Sequence, residues 1–137
     1  MACNVITNFK NANIQKKPGH DVILKNILIQ DENAIATEVP VWCDSPEKLT
    51  GHIDLIRIKE NILEVIDYKP EGNFMRSLPQ VACYGLLLKQ RFNIDNIVCL
   101  SFNDKNIWEY EPEVVLQRIN EILSKIKADS FKWQIYT

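Results

Sequence analysis

The sequence is poor in the features that mark several common classes of protein. Its 137 residues include only 4 glycines and 6 prolines, which argues against a collagen-like or linker-rich chain. No apolar run approaches the ~18 to 20 residues that a membrane span needs, and the sequence does not open on a basic segment followed by an apolar stretch. We therefore expect a cytoplasmic protein with no secretory signal and no membrane association.

Neither sign of charge dominates, and the cysteines show no clustering. The 16 Lys and Arg residues against 18 Asp and Glu give a net charge of −2, so bulk basicity offers no argument for binding nucleic acid or a membrane surface. The four cysteines, Cys3, Cys43, Cys83 and Cys99, form no CxxC pair. Neither zinc nor an iron–sulfur cluster is expected, and Cys43, Cys83 and Cys99 are predicted to be reduced and buried, as in a reducing compartment.

Apolar residues are abundant enough for one ordinary core. They make up 46% of the chain, which excludes intrinsic disorder and suits one compact domain. We expect a single domain over residues 1–137, with an irregular segment at 1–18 and a core at about 19–102. A further strand and the C-terminal helix are expected within 103–137.

Hydrophobic periodicity predicts three helices and five strands. The predicted helices cover 19–30, 77–92 and 112–128, and the predicted strands cover 34–43, 49–58, 61–69, 96–102 and 105–110. Pro70 ends the third strand because it has no N–H for the ladder, and Ser77 with Gln80 predicts a capping box. The order favours an α/β or α+β layered fold, a mixed sheet flanked by helices, with the strand order left open.

Charged residues interrupt the most strand-like part of the sequence. Side chains alternate along a strand, so Asp67 and Lys69 are expected on one face, with Asp54 on the neighbouring strand. Two carboxylates and a lysine together would bind a hard divalent cation, orient a water and stabilise charge on a phosphate. The alternative is a solvated strand face, although an unpaired charge in a buried segment would be costly.

Three short motifs over residues 19–102 carry a family resemblance. They are Gly51-x-x-Asp54, Asp67-x-Lys69 and Gln80-x-x-x-Tyr84. In this order and spacing they resemble the RecB-type nuclease domain of the PD-(D/E)XK, or restriction-endonuclease-like, superfamily. The resemblance implies a restriction-endonuclease-like core, order αβββαβ plus an extra strand and a C-terminal helix. It also implies metal-dependent hydrolysis of DNA phosphodiester bonds, more in the manner of an exonuclease.

The resemblance also implies roles for particular residues. Asp54 and Asp67 would bind Mg²⁺ or Mn²⁺, with the backbone carbonyl of Tyr68 as an additional ligand. Lys69 would stabilise the transition state or orient the water. Gln80 and Tyr84 lie on one helix face and would be part of the catalytic site, holding it or contacting DNA; the alternative assigns them to the cap and to the apolar stripe.

A histidine is a further candidate ligand. Many relatives carry one on the first core helix, which here would be His20, and an imidazole in a carboxylate site would shift preference toward Mn²⁺. The alternative is an exposed histidine at a helix start, and His52, two residues from Asp54, is a competitor. Glu38 is either a third acidic group or a paired charge at a strand start.

The sequence also departs from the family pattern. Pro70 stands where relatives often have Thr or Ser after the motif lysine, which removes a hydroxyl near the site. No phosphate loop is present, so no ATP motor is expected in this chain. Because little of the chain lies beyond the core, a helicase, another protein partner or a homo-oligomer is expected to help grip DNA.

Two other functions stay open at this point. One is a catalytically inactive nuclease-fold module for nucleic-acid binding or protein assembly, against which the presence of Asp54, Asp67 and Lys69 counts. The other is an unrelated small α+β interaction module whose acids are solvated.

Overall fold

In a computed structural model, the described residues from His20 to Lys125 form three helices packed against one five-stranded sheet. The structure describes residues 19–45, 48–70, 76–103 and 105–128, together with Thr7 and Asn11, which are both helical. The rest of the segment 1–18, predicted to be irregular, lies outside the described residues. Within the described ranges, no helix is long and apolar enough to cross a membrane.

The elements follow the predicted order. The helices are α1 (His20–Gln30), α2 (Leu78–Phe92) and α3 (Pro112–Lys125), and the strands are β1 (Ala34–Cys43), β2 (Leu49–Lys59), β3 (Ile62–Tyr68), β4 (Ile97–Phe102) and β5 (Ile107–Tyr110). The third strand ends at Tyr68, just before Lys69 and Pro70, as the missing N–H of proline predicts.

The sheet is mixed, in the spatial order β1-β2-β3-β4-β5. Strands β1, β2 and β3 form an antiparallel meander, β4 lies parallel to β3, and β5 returns antiparallel to β4. Parallel neighbours need a crossover connection, and α2 is part of that connection. The predicted α+β layered fold, consistent with a restriction-endonuclease-like core, is confirmed.

Helix α1 covers one face of the sheet. Its buried side chains Ile23, Leu24 and Ile27 share a cluster with Leu55, Ile66, Tyr68, Leu100 and Phe102. Farther along this face, at the C-terminal end of α1, Arg57 Nε lies 3.1 Å from Asp31 Oδ2 and 3.3 Å from Glu64 Oε2. Arg57 and Glu64 are direct partners across β2 and β3, and both are buried.

Helix α2 covers the other face. It contributes Val81, Tyr84 and Leu88 to a second cluster that includes Val41, Ile53, Val65, Ile97 and Cys99. Helix α3 packs against α2 through Leu116, which meets Leu86, Leu87 and Cys83. Lys89 of α2 and Glu113 of α3 form an ion pair beside this contact. The sheet is therefore enclosed by α1 on one side and by α2, backed by α3, on the other.

Candidate active site

Strand β2 changes face at Asp54. Residues two apart on a strand ordinarily share a face, yet Ile53 packs on the α2 side and Leu55 on the α1 side. The β2–β3 ladder also stops here, because Leu55 and Ile66 are its last paired residues. Asp54 therefore lies where the two strands separate.

The carboxylate of Asp54 accepts a hydrogen bond from a backbone N–H of β3 that lies beyond the end of the β2–β3 ladder. Its Oδ2 accepts the backbone N–H of Tyr68 at 2.8 Å, and it also meets Nε2 of His20 at 2.8 Å. The side chain is only 13% exposed. Asp54 is thus tied both to β3 and to the first residue of α1.

Asp67, on β3, has a donor on each carboxylate oxygen. Lys69 Nζ donates to Oδ1 at 2.7 Å, and Ser77 Oγ donates to Oδ2 at 2.9 Å. The lysine contact follows from strand alternation, which puts residues two apart on one side. The serine reaches back to Asp67 from the turn that precedes α2.

The pKa values of Asp67 and Lys69 are both raised. Burial raises the pKa of Asp67, the hydrogen bond from Lys69 opposes this, and the negative charge of Asp54 raises it further, for a net upward shift. For Lys69, burial lowers the pKa, but the hydrogen bond and charge of Asp67 and the charge of Asp54 outweigh it, so its pKa is raised. Lys69 is therefore a cation at neutral pH, and the two acids repel each other within one site.

His20 lies between acids of three elements. While its Nε2 meets Asp54, its Nδ1 lies 3.6 Å from Asp21 Oδ1 and 3.8 Å from Glu38 Oε1. Ligand atoms of His20, Asp21 and Glu38 all lie within 4.8 Å of one another. The imidazole thus connects Asp54 of β2 to a more exposed pair of acids, Asp21 and Glu38.

Glu38 sits at an irregular point of β1. Its neighbours Thr37 and Val39 pair with Leu55 and Ile53, which leaves Glu38 opposite Asp54. Its φ of 53° lies in the left-handed region, which a residue with a Cβ adopts at a cost of order 1 kcal/mol or more. Both strands therefore depart from regular geometry at the level of the acids.

Tyr84 of α2 lies directly over Gly51 of β2. A Cβ at Gly51 would lie 2.0 Å from the Tyr84 hydroxyl oxygen, so only glycine fits beneath the ring. Burial raises the pKa of Tyr84, a hydrogen bond with Gln80 opposes this, and the charges of Asp67 and Asp54 add to the rise. The residues of the first and third motifs are thus in contact, and Tyr84 faces the acids.

The structure brings most of the predicted site residues together. Asp54, Asp67, Lys69, Tyr68 and His20 are joined by direct hydrogen bonds or chain adjacency, and Tyr84 with Gln80 borders them. His52, by contrast, has an exposed side chain and pairs through its backbone with Pro40. A cleft of about 560 Å³ between β1 and the end of α2 contains none of the predicted residues.

Sequence reasoning missed Ser77 and Asp21. Ser77 does precede α2, but its side chain makes no cap hydrogen bond and its backbone is helical, at φ −89° and ψ −13°. The predicted capping box is therefore wrong, since a capping residue has an extended backbone. The hydroxyl that suggested a cap is bonded to Asp67 instead, and no sequence pattern distinguishes the two partners.

The donor set suits a divalent cation. Asp54 and Asp67 offer hard carboxylate oxygens, Tyr68, next to Asp67 in the chain, offers a backbone carbonyl, and His20 offers a nitrogen. Lys69 offsets the negative charge of Asp67, and a cation would relieve the repulsion between Asp67 and Asp54.

Two comparisons with known proteins bear on the family of the chain. A search of curated proteins returns no match. The sequence model of the PD-(D/E)XK nuclease superfamily matches residues 16–128, which includes all three motifs and both acids. Members of this superfamily are usually nucleases that act on nucleic acids with divalent metals. Because the match covers well over half of the chain, the protein belongs to the PD-(D/E)XK nuclease superfamily.

Proposed function

We propose that the protein is a divalent-metal-dependent nuclease that hydrolyses DNA phosphodiester bonds, of the RecB type and exonuclease-like. The observation that carries this proposal is the meeting of Asp54, Asp67 and Lys69 at the point where β2 and β3 separate. An interaction module would gain nothing from two mutually repelling, largely buried carboxylates, whose burial costs stability.

In this proposal the acids hold Mg²⁺ or Mn²⁺. Asp54, Asp67 and the backbone carbonyl of Tyr68 are the oxygen ligands, and His20 is an additional nitrogen ligand that favours Mn²⁺. When bound, the cation polarises the phosphodiester and lowers the pKa of a water. The hydrogen bonds of Tyr68 N–H and Ser77 Oγ keep the two carboxylates oriented without bringing in a competing charge.

Lys69 acts on the substrate. Its ammonium group is held at Asp67 Oδ1, is 37% exposed on its side chain and stays protonated, because neighbouring negative charges raise its pKa. A phosphate that enters the site gains negative charge as a water attacks it, and a fixed cation beside it stabilises that charge. Lys69 also holds the attacking water by donating a hydrogen bond to it.

Gln80 and Tyr84 form the α2 side of the site. The hydrogen bond between them fixes the phenol over Gly51, with the ring near both acids. We assign to the pair the task of holding the site and contacting the DNA backbone through the exposed amide of Gln80.

In this proposal, part of the DNA-binding surface belongs to another protein chain. A net charge of −2 supplies little attraction to phosphates. We therefore propose that a helicase, another protein partner or a second copy of the chain completes the DNA-binding surface. The buried thiols of Cys83 and Cys99, which form no disulfide with each other, support a location in the reducing cytoplasm.

The test is a digest of linear and circular DNA, single- and double-stranded, with Mg²⁺ or Mn²⁺. The parent should shorten linear DNA and leave circles intact, and Asp54→Ala should be inactive. Asp95→Ala, which removes an exposed acid in the turn before β4, is the matched control and should cut like the parent.

Calorimetric titration with Mn²⁺ separates the competing functions. A parent that binds Mn²⁺ through Asp54 but cuts no DNA would be an inactive nuclease-fold module. A parent that neither binds Mn²⁺ nor cuts would make the acids merely structural. Cutting of circles would replace exonuclease action by endonuclease action.

A further inference from the structure

Ser77 is a buried hydroxyl with a specific place in the site. It is 6% exposed, and its Oγ donates to Asp67 Oδ2 at 2.9 Å. Its helical backbone leaves the N–H groups of α2 without a side-chain cap from this residue. A serine in this position ordinarily stabilises its helix, whereas here the hydroxyl is directed to a carboxylate ten residues earlier in the chain.

The contact completes the enclosure of Asp67. Lys69 occupies Oδ1 and Ser77 occupies Oδ2, so both oxygens have a donor from a different direction. Pro70, which directly follows Lys69, has neither a side-chain hydroxyl nor a backbone N–H to offer. The neutral donor on Asp67 therefore comes from the start of α2 and not from the strand end.

We propose that Ser77 is a positioning residue of the nuclease site, which fixes the Asp67 carboxylate for the cation and couples α2 to β3. This inference rests on the proposed function. A carboxylate held by Lys69 alone rotates about its terminal torsion, which has a broad minimum. A second donor on the other oxygen restricts that rotation, and it leaves each oxygen a lone pair for the metal.

A second contact of α2 supports this assignment. Tyr84 lies over Gly51 on the strand of Asp54, while Ser77 binds Asp67 on the adjacent strand. One rigid helix thus contacts both acid-bearing strands. Displacement of α2 at Ser77 would therefore change the spacing of the carboxylates.

The test measures Mn²⁺ affinity by calorimetry, so that it does not depend on cleavage. Ser77→Ala should bind Mn²⁺ about tenfold more weakly, since residues that orient metal ligands typically contribute ~10- to 100-fold. Ser77→Thr retains the hydroxyl and should restore affinity to within about threefold. Ser77→Cys keeps the side-chain size and replaces the hydroxyl by a weak donor, so it tests the hydrogen bond even where the alanine variant unfolds.

Ser101→Ala is the control matched for burial. Ser101 is fully buried, and its hydroxyl bonds to Tyr110 and not to an acid; its loss should leave the Mn²⁺ affinity of the parent. Parent-like affinity in Ser77→Ala and Ser77→Cys would overturn the role of Ser77 and leave the proposed function intact. Equal losses in all three Ser77 variants would also overturn it, because packing and not the hydroxyl would then matter. A parent that binds no Mn²⁺ overturns both.

Discussion

At the scale of single residues, Asp54 and Asp67 differ in the groups that hold their carboxylates. Asp54 is held by a backbone N–H and an imidazole, which are fixed by the sheet and by the start of α1. Asp67 is held by the ammonium group of Lys69 and by Ser77. Lys69 combines a positive charge with a side chain that is 37% exposed, so it can meet a substrate.

Two substitutions separate metal binding from chemistry. Lys69→Ala should lower the cleavage rate by about 10² to 10³, because a preorganised charge is lost, and should leave Mn²⁺ binding largely intact. Asp67→Ala should lose both Mn²⁺ binding and cleavage, because a cation of this kind is held by few protein ligands. Single-turnover cleavage assays and calorimetry on the same preparations measure the two effects.

Lys59→Ala, at the exposed end of β2, controls for the loss of any lysine and should behave like the parent. If both Lys69→Ala and Asp67→Ala cut DNA at the parental rate, free of contaminating nuclease, these residues are not the site.

Gly51 allows a prediction about packing. Gly51→Ala places a methyl group 2.0 Å from the Tyr84 hydroxyl oxygen, so the ring must leave its place over β2. Overpacking of this kind typically destabilises by about 1 to 3 kcal/mol, and cleavage should fall with it. Urea unfolding measures the loss, which should shrink in a Tyr84→Leu background; an equal loss in both backgrounds would contradict the contact.

At the scale of elements, the regular spacing of apolar residues predicted the helices and strands. The alternation of apolar residues gave the strands to within a few residues, and Pro70 correctly marked the end of β3. Alternation also brought Asp67 and Lys69 together. It could not predict that β2 changes face at Asp54, because no residue there is a glycine or proline that signals a break.

Other features of the site come from contacts between distant segments. The hydrogen bond from Ser77 to Asp67 joins the turn before α2 to β3, ten residues earlier in the chain. His20 likewise reaches Asp54 only because α1 packs on the meander of β1, β2 and β3. The local sequence pattern carries no information about such partners. The position of Ser77 just before a helix therefore predicted a helix cap, whereas its hydroxyl binds Asp67.

The buried ion pair between β2 and β3 is expected to be a stability element and not part of the site. Arg57→Met leaves Glu64 and Asp31 without its charge in largely buried positions, so the variant should lose about 3 kcal/mol or more. Arg57→Met/Glu64→Leu should recover much of this loss, because apolar packing replaces the pair. Urea unfolding tests both expectations.

Cleavage serves as the second measurement for these variants. Arg57 and Glu64 each lie three residues from an acid along the strand, roughly 10 Å away. The folded variants should therefore cut DNA at the parental rate. A specific loss of cleavage in the stable double variant would assign the pair to the site.

At the scale of the whole molecule, the site depends on the order of the strands. Antiparallel neighbours joined by short turns are predictable from the sequence. The parallel placement of β4 beside β3 is not, because a chain that crosses over through a helix can add its next strand at either edge of the meander. That placement supplies the Phe102 carbonyl that accepts the N–H of Lys69 at 2.9 Å. The motif lysine is thus fixed by a strand that lies about thirty residues later.

Folding should not depend on disulfides or iron. Cys83 and Cys99 are thiols buried in the clusters around α2, whereas Cys43, also predicted to be buried, is only half-buried at the end of β1. The thermal midpoint should therefore be the same with and without strong reductant, and purified protein should carry no stoichiometric iron. A visible cluster absorbance, or a lower midpoint in reductant, would contradict this expectation.

Alkaline pH should destabilise the fold through the same thiols. Burial raises the pKa of Cys83 from 9.0 to about 12, and burial also raises the pKa of Cys99. Below pH 9 both states keep these thiols protonated, whereas above it the unfolded chain loses protons that the folded chain retains. The free energy of unfolding should therefore fall as pH rises from about 9 toward 12, by up to ~1.4 kcal/mol per pH unit for each thiol. Urea unfolding at successive pH values should show a shallower fall in Cys83→Ala, and an unchanged slope in that variant would mean that the Cys83 thiol does not contribute to the alkaline loss.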